Sequence, residues 1–306
     1  MEVNFKKITS SLYDYLLSKG AKYRVEKFMF VLAILGFIIH LIIIGLSNIG
    51  LIPDTNRFAV LQNPLNAIYT PFSIILFYEI YCLFYYLPRS ISIYIGKQFE
   101  IIALITIREI FEQLALLRVS QDENFIQSQP NFLYSLATIA LLFGLIYLYY
   151  RLNQRQIKIE NKTGGEPVNI PKKNEYYIVA KKALALTAGV TFIVLALVTL
   201  YGWFVGNEGL PALIISSKPV IKNFFASFYT VLILCDVVIL LLSFAITDEF
   251  HKVMRNSGFV VSTTLMKLSF GVEGLQSHIL VLLGVIFGTL MLALYKMYRK
   301  IEIPEN

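Results

Sequence analysis

The amino-acid sequence predicts an all-α integral membrane protein with eight transmembrane helices, arranged as two parallel four-helix repeats with both termini cytoplasmic. The chain has 306 residues, of which 57% are hydrophobic and only 15% charged, whereas soluble domains contain about 25% charged residues. Several apolar segments exceed the roughly 18 residues that indicate a membrane helix. Basic residues are concentrated in an N-terminal arm, a central loop and the C-terminal end, where Lys296, Arg299 and Lys300 lie. Their distribution decides how many segments cross.

Six transmembrane segments are clear from length and composition. Two further segments have spanning length but contain polar residues. If only six crossed, the N-terminal arm and the central loop would face opposite sides of the membrane. If all eight cross, the three basic regions share one side, as the positive-inside rule requires. The clear segments are 28–46, 65–87, 132–150, 183–204, 224–246 and 279–298, and the ambiguous ones are 94–117 and 258–275.

The chain divides into five predicted parts. In the N-terminal arm, Phe5, Ile8, Leu12 and Leu16 recur at helical spacing, which is typical of an amphipathic helix on the membrane surface. The parts are a cytoplasmic arm (1–27), a first four-helix repeat (28–151), a basic cytoplasmic linker (152–182), a second four-helix repeat (183–300) and a cytoplasmic tail (301–306).

An internal duplication is predicted because polar positions recur at an offset of about 155 residues, and internal repeats are common in transport folds. Each half has an even number of spans, so the repeats must run parallel. The matched positions include Glu79 with Asp236, Arg108 with Lys267, Asn48 with Asn207, Pro64 with Pro219 and Tyr147 with Tyr295.

Several classes of protein are not expected. The net charge of +7 is explained by the basic membrane-flanking regions, so a nucleic-acid partner is not predicted. Cys82 and Cys235 both lie in apolar segments outside any C-x-x-C pair, which argues against a disulfide framework or a zinc site. The sequence has no metal-binding histidine motif, phosphate loop or nucleophile elbow. We therefore expect no metal and no cofactor, and an enzyme is less expected than a protein without catalytic activity.

No cleavable signal peptide is evident in the first 27 residues, and the first span would serve as the targeting signal.

Two carboxylates lie within apolar segments, Glu79 in the second segment and Asp236 in its counterpart. A carboxylate at that depth is costly, so it is a candidate functional group. Counting the helical rise from the segment ends places Arg108 level with Glu79 and Lys267 level with Asp236. We therefore predict two acid–base pairs near the midplane, which would serve either a polar pathway or helix packing.

The third segment, 94–117, has the most charge. Lys97, Glu100, Arg108 and Glu112 fall within about a third of the helix circumference, and Glu109 lies beside them. Such a helix must turn its charged face towards partners or water. His40, in the first segment, could relay protons near neutral pH. The candidate ion or solute pathway comprises Glu79, Arg108, Glu109, Glu112, His40, Asp236 and Lys267.

Three functions are compatible with these features. The first is a channel or transporter-like protein with a midplane site for an ion, a proton or a small solute. The second is a scaffold or signalling subunit that binds a partner through the charged third segment. The third is an intramembrane enzyme, which would need His40 and Glu79 within hydrogen-bond reach. We expect a multi-pass protein of a bacterial inner or plasma membrane, in contact with the lipid bilayer and able to form a homo-oligomer or bind a membrane partner chain.

Overall fold

The computed structural model describes residues 2–49, 64–116, 130–163, 172–205, 218–245 and 249–302. All regular secondary structure within these ranges is helical, which confirms the all-helical prediction there. A short 3-10 helix, Pro64–Ile68, precedes α3. The α-helices are α1 (Glu2–Leu16), α2 (Lys19–Asn48), α3 (Tyr69–Tyr86), α4 (Ile91–Leu116), α5 (Pro130–Thr163), α6 (Lys172–Val205), α7 (Lys218–Phe244), α8 (Phe250–Ser269) and α9 (Leu275–Glu302).

Six stretches of the described chain are long and apolar enough to cross a membrane, and each overlaps one of the six clear segments. A polytopic helical membrane protein is therefore confirmed at this level. The two ambiguous segments also form helices, α4 and α8. The six candidate spans are Thr9–Ser47, Asn66–Tyr86, Asn131–Gln154, Tyr177–Thr199, Asn223–Phe244 and Leu275–Arg299.

Local sequence signals explain where several helices begin and end. The side chain of Ser18 accepts a hydrogen bond from the backbone N–H of Ala21 at 3.1 Å and so caps α2, as serine commonly does. Pro88 follows Leu87, the C-cap residue of α3, and cannot continue the helical hydrogen bonding. Between α8 and α9, Gly274 adopts a φ of 62°, which glycine tolerates without strain. The connections α3–α4 and α8–α9 are therefore tight turns.

Consecutive helices pack against each other in each half, α2 to α5 and α6 to α9. The halves meet chiefly where α5 packs on α9, with further contacts between α3 and α6 and between α4 and α8. Helix α4 contacts α3, α5, α8 and α9, and most of its side chains from Ser92 to Ala103 are buried. In contrast, α2 and α6 present rows of exposed apolar side chains, as lipid-facing helices do. The predicted segment with the most charge, 94–117, is thus central in the bundle.

Helix α1 lies against the turn between α3 and α4. The Tyr13 hydroxyl donates to the backbone oxygen of Tyr85 at 3.1 Å. The guanidinium of Arg89 donates to the Tyr13 hydroxyl, to the Tyr85 carbonyl and, at 3.0 Å, to the Leu17 carbonyl. On the other side, Asp14 forms an ion pair of 3.1 Å with Lys182 of α6. Helix α1 therefore contacts both halves of the bundle.

Two glycines of α9 allow it to approach α8 closely. A Cβ atom on Gly284 would lie 2.9 Å from Cγ of Met266, and one on Gly288 would lie 2.6 Å from Cζ of Phe99 and 2.7 Å from Oγ of Ser262. The Ser262 hydroxyl donates to the backbone oxygen of Gly284 at 2.7 Å. This Gly-x-x-x-Gly pattern is typical of tightly packed membrane helices.

Candidate functional site

A buried polar cluster lies where α4 of the first half meets α7 and α8 of the second. Oγ1 of Thr263 in α8 lies 2.7 Å from Oδ2 of Asp236 in α7, a short hydrogen-bond distance. Nε2 of Gln98 in α4 lies 3.4 Å from the same oxygen, a long hydrogen bond. Oγ1 of Thr263 is also 2.8 Å from Oε1 of Gln98. Gln98 and Thr263 are fully buried and Asp236 is 5% exposed, so the carboxylate is enclosed by neutral polar groups.

Two buried tyrosines complete this group. The Tyr229 hydroxyl donates to the backbone oxygen of Gln98 at 3.1 Å. The Tyr94 hydroxyl lies beside Asp236 and Gln98, but neither contact has the geometry of a well-formed hydrogen bond. We refer to Asp236, Gln98, Thr263 and Tyr94 as the Asp236 cluster. The Tyr94 hydroxyl is notable because buried polar groups nearly always make a well-formed hydrogen bond.

The expected ion pair between Asp236 and Lys267 is absent among the described residues. The Asp236 carboxylate bonds to Thr263 and Gln98 instead. Lys267 lies in the last turn of α8, one turn beyond Thr263, and is half-buried. The prediction was wrong because it assumed that a buried carboxylate needs a charged partner, whereas here a hydroxyl and an amide take that place.

A second polar cluster joins α3, α4 and α5. Nζ of Lys97 is 3.0 Å from Oε2 of Glu79 and 2.5 Å from Oε2 of Glu100. The Tyr150 hydroxyl of α5 donates to Oε1 of Glu100. Gly96 makes room for this contact, since a Cβ atom there would lie 2.9 Å from the Tyr150 hydroxyl. We call Glu79, Lys97, Glu100 and Tyr150 the Glu79 cluster, and its side chains are largely buried.

The predicted pair between Glu79 and Arg108 is wrong. Glu79 binds Lys97, and Arg108 is eleven residues further along α4, which is about 16 Å of helical rise. The tight turn explains the true pairing. Glu79 lies seven residues before the end of α3 at Tyr86, and Lys97 lies six residues after the start of α4 at Ile91, so antiparallel packing places these two side chains level.

The remaining charged residues of α4 lie towards its other end. Arg108 is half-buried and Glu109 is exposed, while the side chain of Glu112 is outside the described part of the structure. Nε2 of Gln113 is 3.5 Å from Oε1 of Glu109 and 3.4 Å from Oγ of Ser135 in α5. Oγ of Ser135 is in turn 3.4 Å from Nε2 of the buried His278. Polar contacts thus continue along α4 beyond the two clusters.

His40 is separate from the carboxylates. Its Nδ1 lies 2.8 Å from Oγ1 of Thr70 in α3. Thr70 is nine residues before Glu79 on the same helix, about 13 Å along the axis. His40 and Glu79 therefore do not converge, and the geometry that an enzyme using both would need is not formed.

A third group of charges lies at the start of α8, outside the candidate spans. Nζ of Lys252 donates to Oε1 of Glu249 at 2.8 Å, and Nε2 of His251 is 3.1 Å from Oε2 of the same carboxylate. The hydrogen bond from Lys252 lowers the pKa of Glu249 below its ordinary value. Because Glu249 is exposed, this group has the features of an ordinary surface ion pair.

Several residues of the two clusters were not among the predicted site residues. These are Gln98, Thr263, Tyr94 and Tyr150, together with Lys97 and Glu100, which were recognised only as part of the charged face. Gln98 and Thr263 are 165 positions apart in the chain, so no local pattern links them. Lys97 could have been found as the partner of Glu79 by counting residues in both directions from Pro88, which marks the turn between α3 and α4.

Comparison of the chain with protein-family models, with curated proteins and with solved structures gives no match. The predicted site residues whose side chains the structure describes do not form one site. Two of them, Glu79 and Asp236, belong to clusters joined by consecutive residues of α4, whereas His40, Arg108, Glu109 and Lys267 lie elsewhere. These two clusters are the candidate functional site.

Proposed function

We propose that this polytopic membrane protein is channel or transporter-like and moves protons or small cations along the polar side chains of α4. In this arrangement α2 to α9 all cross the membrane as two parallel four-helix repeats with cytoplasmic termini. The lengths of the ambiguous helices support it: α4 has 26 residues and α8 has 20, which correspond to about 39 and 30 Å against a hydrocarbon core of about 30 Å. The contacts of α4 with α8 and of α5 with α9 also join equivalent helices of the two halves.

One observation is the main support for transport. The helix buried deepest in the bundle holds a carboxylate on each of two sides, Glu79 through Lys97 and Asp236 through Gln98. Charged and polar side chains at such positions are expensive in a membrane, and they concentrate along ion pathways and proton relays. A bundle that needed only tight packing could use small and apolar residues there, as α8 and α9 do at Gly284 and Gly288.

Flux measurements on the purified full chain in proteoliposomes test this function. We expect proton or sodium flux above that of empty vesicles, and loss of most of it in Glu79→Gln and Asp236→Asn. Glu273→Gln makes the same chemical change in the exposed turn between α8 and α9 and should retain wild-type flux. No flux of protons, sodium or potassium in the wild type, under an imposed gradient and potential, would overturn the proposal.

A second candidate function, a membrane scaffold, is favoured by the exposure of Glu109 on α4. An exposed carboxylate on a helix otherwise turned inwards could bind a cation on a partner chain. Photo-crosslinking from position 109 in native membranes tests this idea. A discrete product of fixed mass, absent when the probe is placed at the exposed Leu283, would support the scaffold, and lipid adducts alone would count against it.

A further inference from the structure

We propose that Asp236 is a proton-binding site whose carboxyl group is protonated in the resting protein. Asp236 lies in the interior of the bundle, and its immediate partners are the hydroxyl of Thr263 and the amide of Gln98. An ionised carboxylate in such surroundings has lost its water without gaining a cation, which is strongly unfavourable. A bound proton removes the charge without requiring any other partner.

The charged and titratable groups around Asp236 leave it without a cationic neighbour. From α4, Tyr94 lies beside it, and Lys97 is directed to Glu79 and Glu100. From its own helix, Cys235 is adjacent and buried. From α8, Lys267 is one turn beyond Thr263 and makes no ion pair with Asp236. The described residues of α7 and α8 therefore provide no positive charge to neutralise the carboxylate.

Counting hydrogens in the cluster leads to the same conclusion. Oγ1 of Thr263 has three oxygen neighbours, Oδ2 of Asp236 at 2.7 Å, Oε1 of Gln98 at 2.8 Å and the backbone oxygen of Phe259 at 3.1 Å. A hydroxyl has one proton to donate. If Thr263 donates to Gln98, the 2.7 Å contact needs a proton on Asp236, which then donates to Thr263. One added proton converts two close oxygen pairs into two hydrogen bonds.

Exchanging the oxygen and nitrogen of the Gln98 amide is the alternative assignment. Gln98 would then donate to Thr263 and Thr263 to an ionised Asp236. That arrangement places the amide oxygen 3.4 Å from the charged carboxylate and still leaves the charge buried without a cation. The protonated form avoids both penalties.

The buried Tyr94 hydroxyl is an independent indication that the site changes state. It lies beside Asp236 and Gln98 without a well-formed hydrogen bond to either, which is uncommon for a fully buried hydroxyl. When the O–H bond of the Asp236 carboxyl breaks and the proton passes to a water molecule, H₃O⁺ forms and a carboxylate remains. Tyr94 can then donate to that carboxylate, together with Thr263 and Gln98. The position of the Tyr94 hydroxyl is thus suited to stabilising the deprotonated carboxylate.

The protonation of Asp236 stands on this geometry alone, while its use in proton transport rests on the proposed function. Infrared difference spectroscopy of the full chain in lipid tests the protonation directly. We expect a carbonyl band of a protonated carboxylic acid at neutral pH that shifts in heavy water. The band should disappear in Asp236→Asn and remain in the matched variant Glu79→Gln.

A second variant keeps the proposal testable if Asp236→Asn does not fold. Tyr94→Phe removes the donor available to the ionised carboxylate, so the band should persist to higher pH than in the wild type. A wild-type protein without the band, a band unaffected by Asp236→Asn, or an unchanged titration in Tyr94→Phe would overturn the proposal. A normal band in a protein without flux would leave the proton site standing and reject the transport function instead.

Discussion

Lys97 and Gln98 are consecutive residues of α4 that bind carboxylates on two different helices. Nζ of Lys97 lies 3.0 Å from Glu79, and Nε2 of Gln98 lies 3.4 Å from Asp236. Because successive residues of a helix point about 100° apart, α4 separates the two acids. Glu79 has a cation as its partner, whereas Asp236 has only neutral groups. Two positions that match in the sequence therefore differ in how their charge is balanced.

A double-mutant cycle on Glu79→Gln and Lys97→Met should measure a coupling free energy of about 1–3 kcal/mol. Both side chains are largely buried, with exposed fractions of 14% and 18%, so removing one partner leaves the other charge poorly compensated. The free energy of unfolding of each variant in detergent micelles gives the coupling. The control is the cycle on Glu79 and Arg108, whose coupling should be below about 0.5 kcal/mol because the residues are far apart. A larger coupling for Arg108 than for Lys97 would contradict the observed pairing.

Gly288→Ala should lower the free energy of unfolding by about 1–3 kcal/mol. Its new methyl group would meet Phe99 at 2.6 Å and Ser262 at 2.7 Å, so α9 would have to move away from α8. Gly144 of α5 is the matched control, because a Cβ atom there has no neighbour within 4 Å. Gly144→Ala should be neutral or stabilise by up to about 1 kcal/mol through its helix propensity. Equal effects of the two substitutions would reject the close α8–α9 contact.

Topology reporters should place the N terminus and residue 164 on the same, cytoplasmic side of the membrane, and residue 273 on the opposite side. This result follows if α4 and α8 both cross, which their lengths allow. Single cysteines at these positions can be labelled with an impermeant maleimide in oriented vesicles. The native Cys82 and Cys235 are buried, with exposures of 1% and 4%. The parent protein without an added cysteine, treated with the same maleimide, therefore measures the background labelling. Residue 164 opposite the N terminus would show that only the six apolar spans cross.

The sequence was sufficient for the six apolar spans because hydropathy over about 20 residues dominates membrane insertion. The sequence did not predict the ion pairs correctly, because the depth of each charged residue in the membrane was counted from the ends of predicted segments. Each residue by which a segment end is misplaced shifts the predicted depth by about 1.5 Å. Counting from the Pro88 turn gives Lys97 as the partner of Glu79. The Gln98–Thr263 contact joins distant parts of the chain and depends on how the two halves dock. The Gly-x-x-x-Gly pattern of Gly284 and Gly288 is visible in the sequence and would have indicated the close packing of α9.

The attachment of α1 has a mechanical consequence. Helix α1 is attached to the first half through the buried Tyr13, which donates to Tyr85, and through Arg89, which donates to Tyr13 and to Leu17. Its direct ion pair with the second half is Asp14 with Lys182, and the Asp14 side chain is 64% exposed, so that pair is weak. Because α1 also packs along α6, rocking of one half against the other would strain the contacts of α1 on one side. The N-terminal helix would then act as a brace between the two halves.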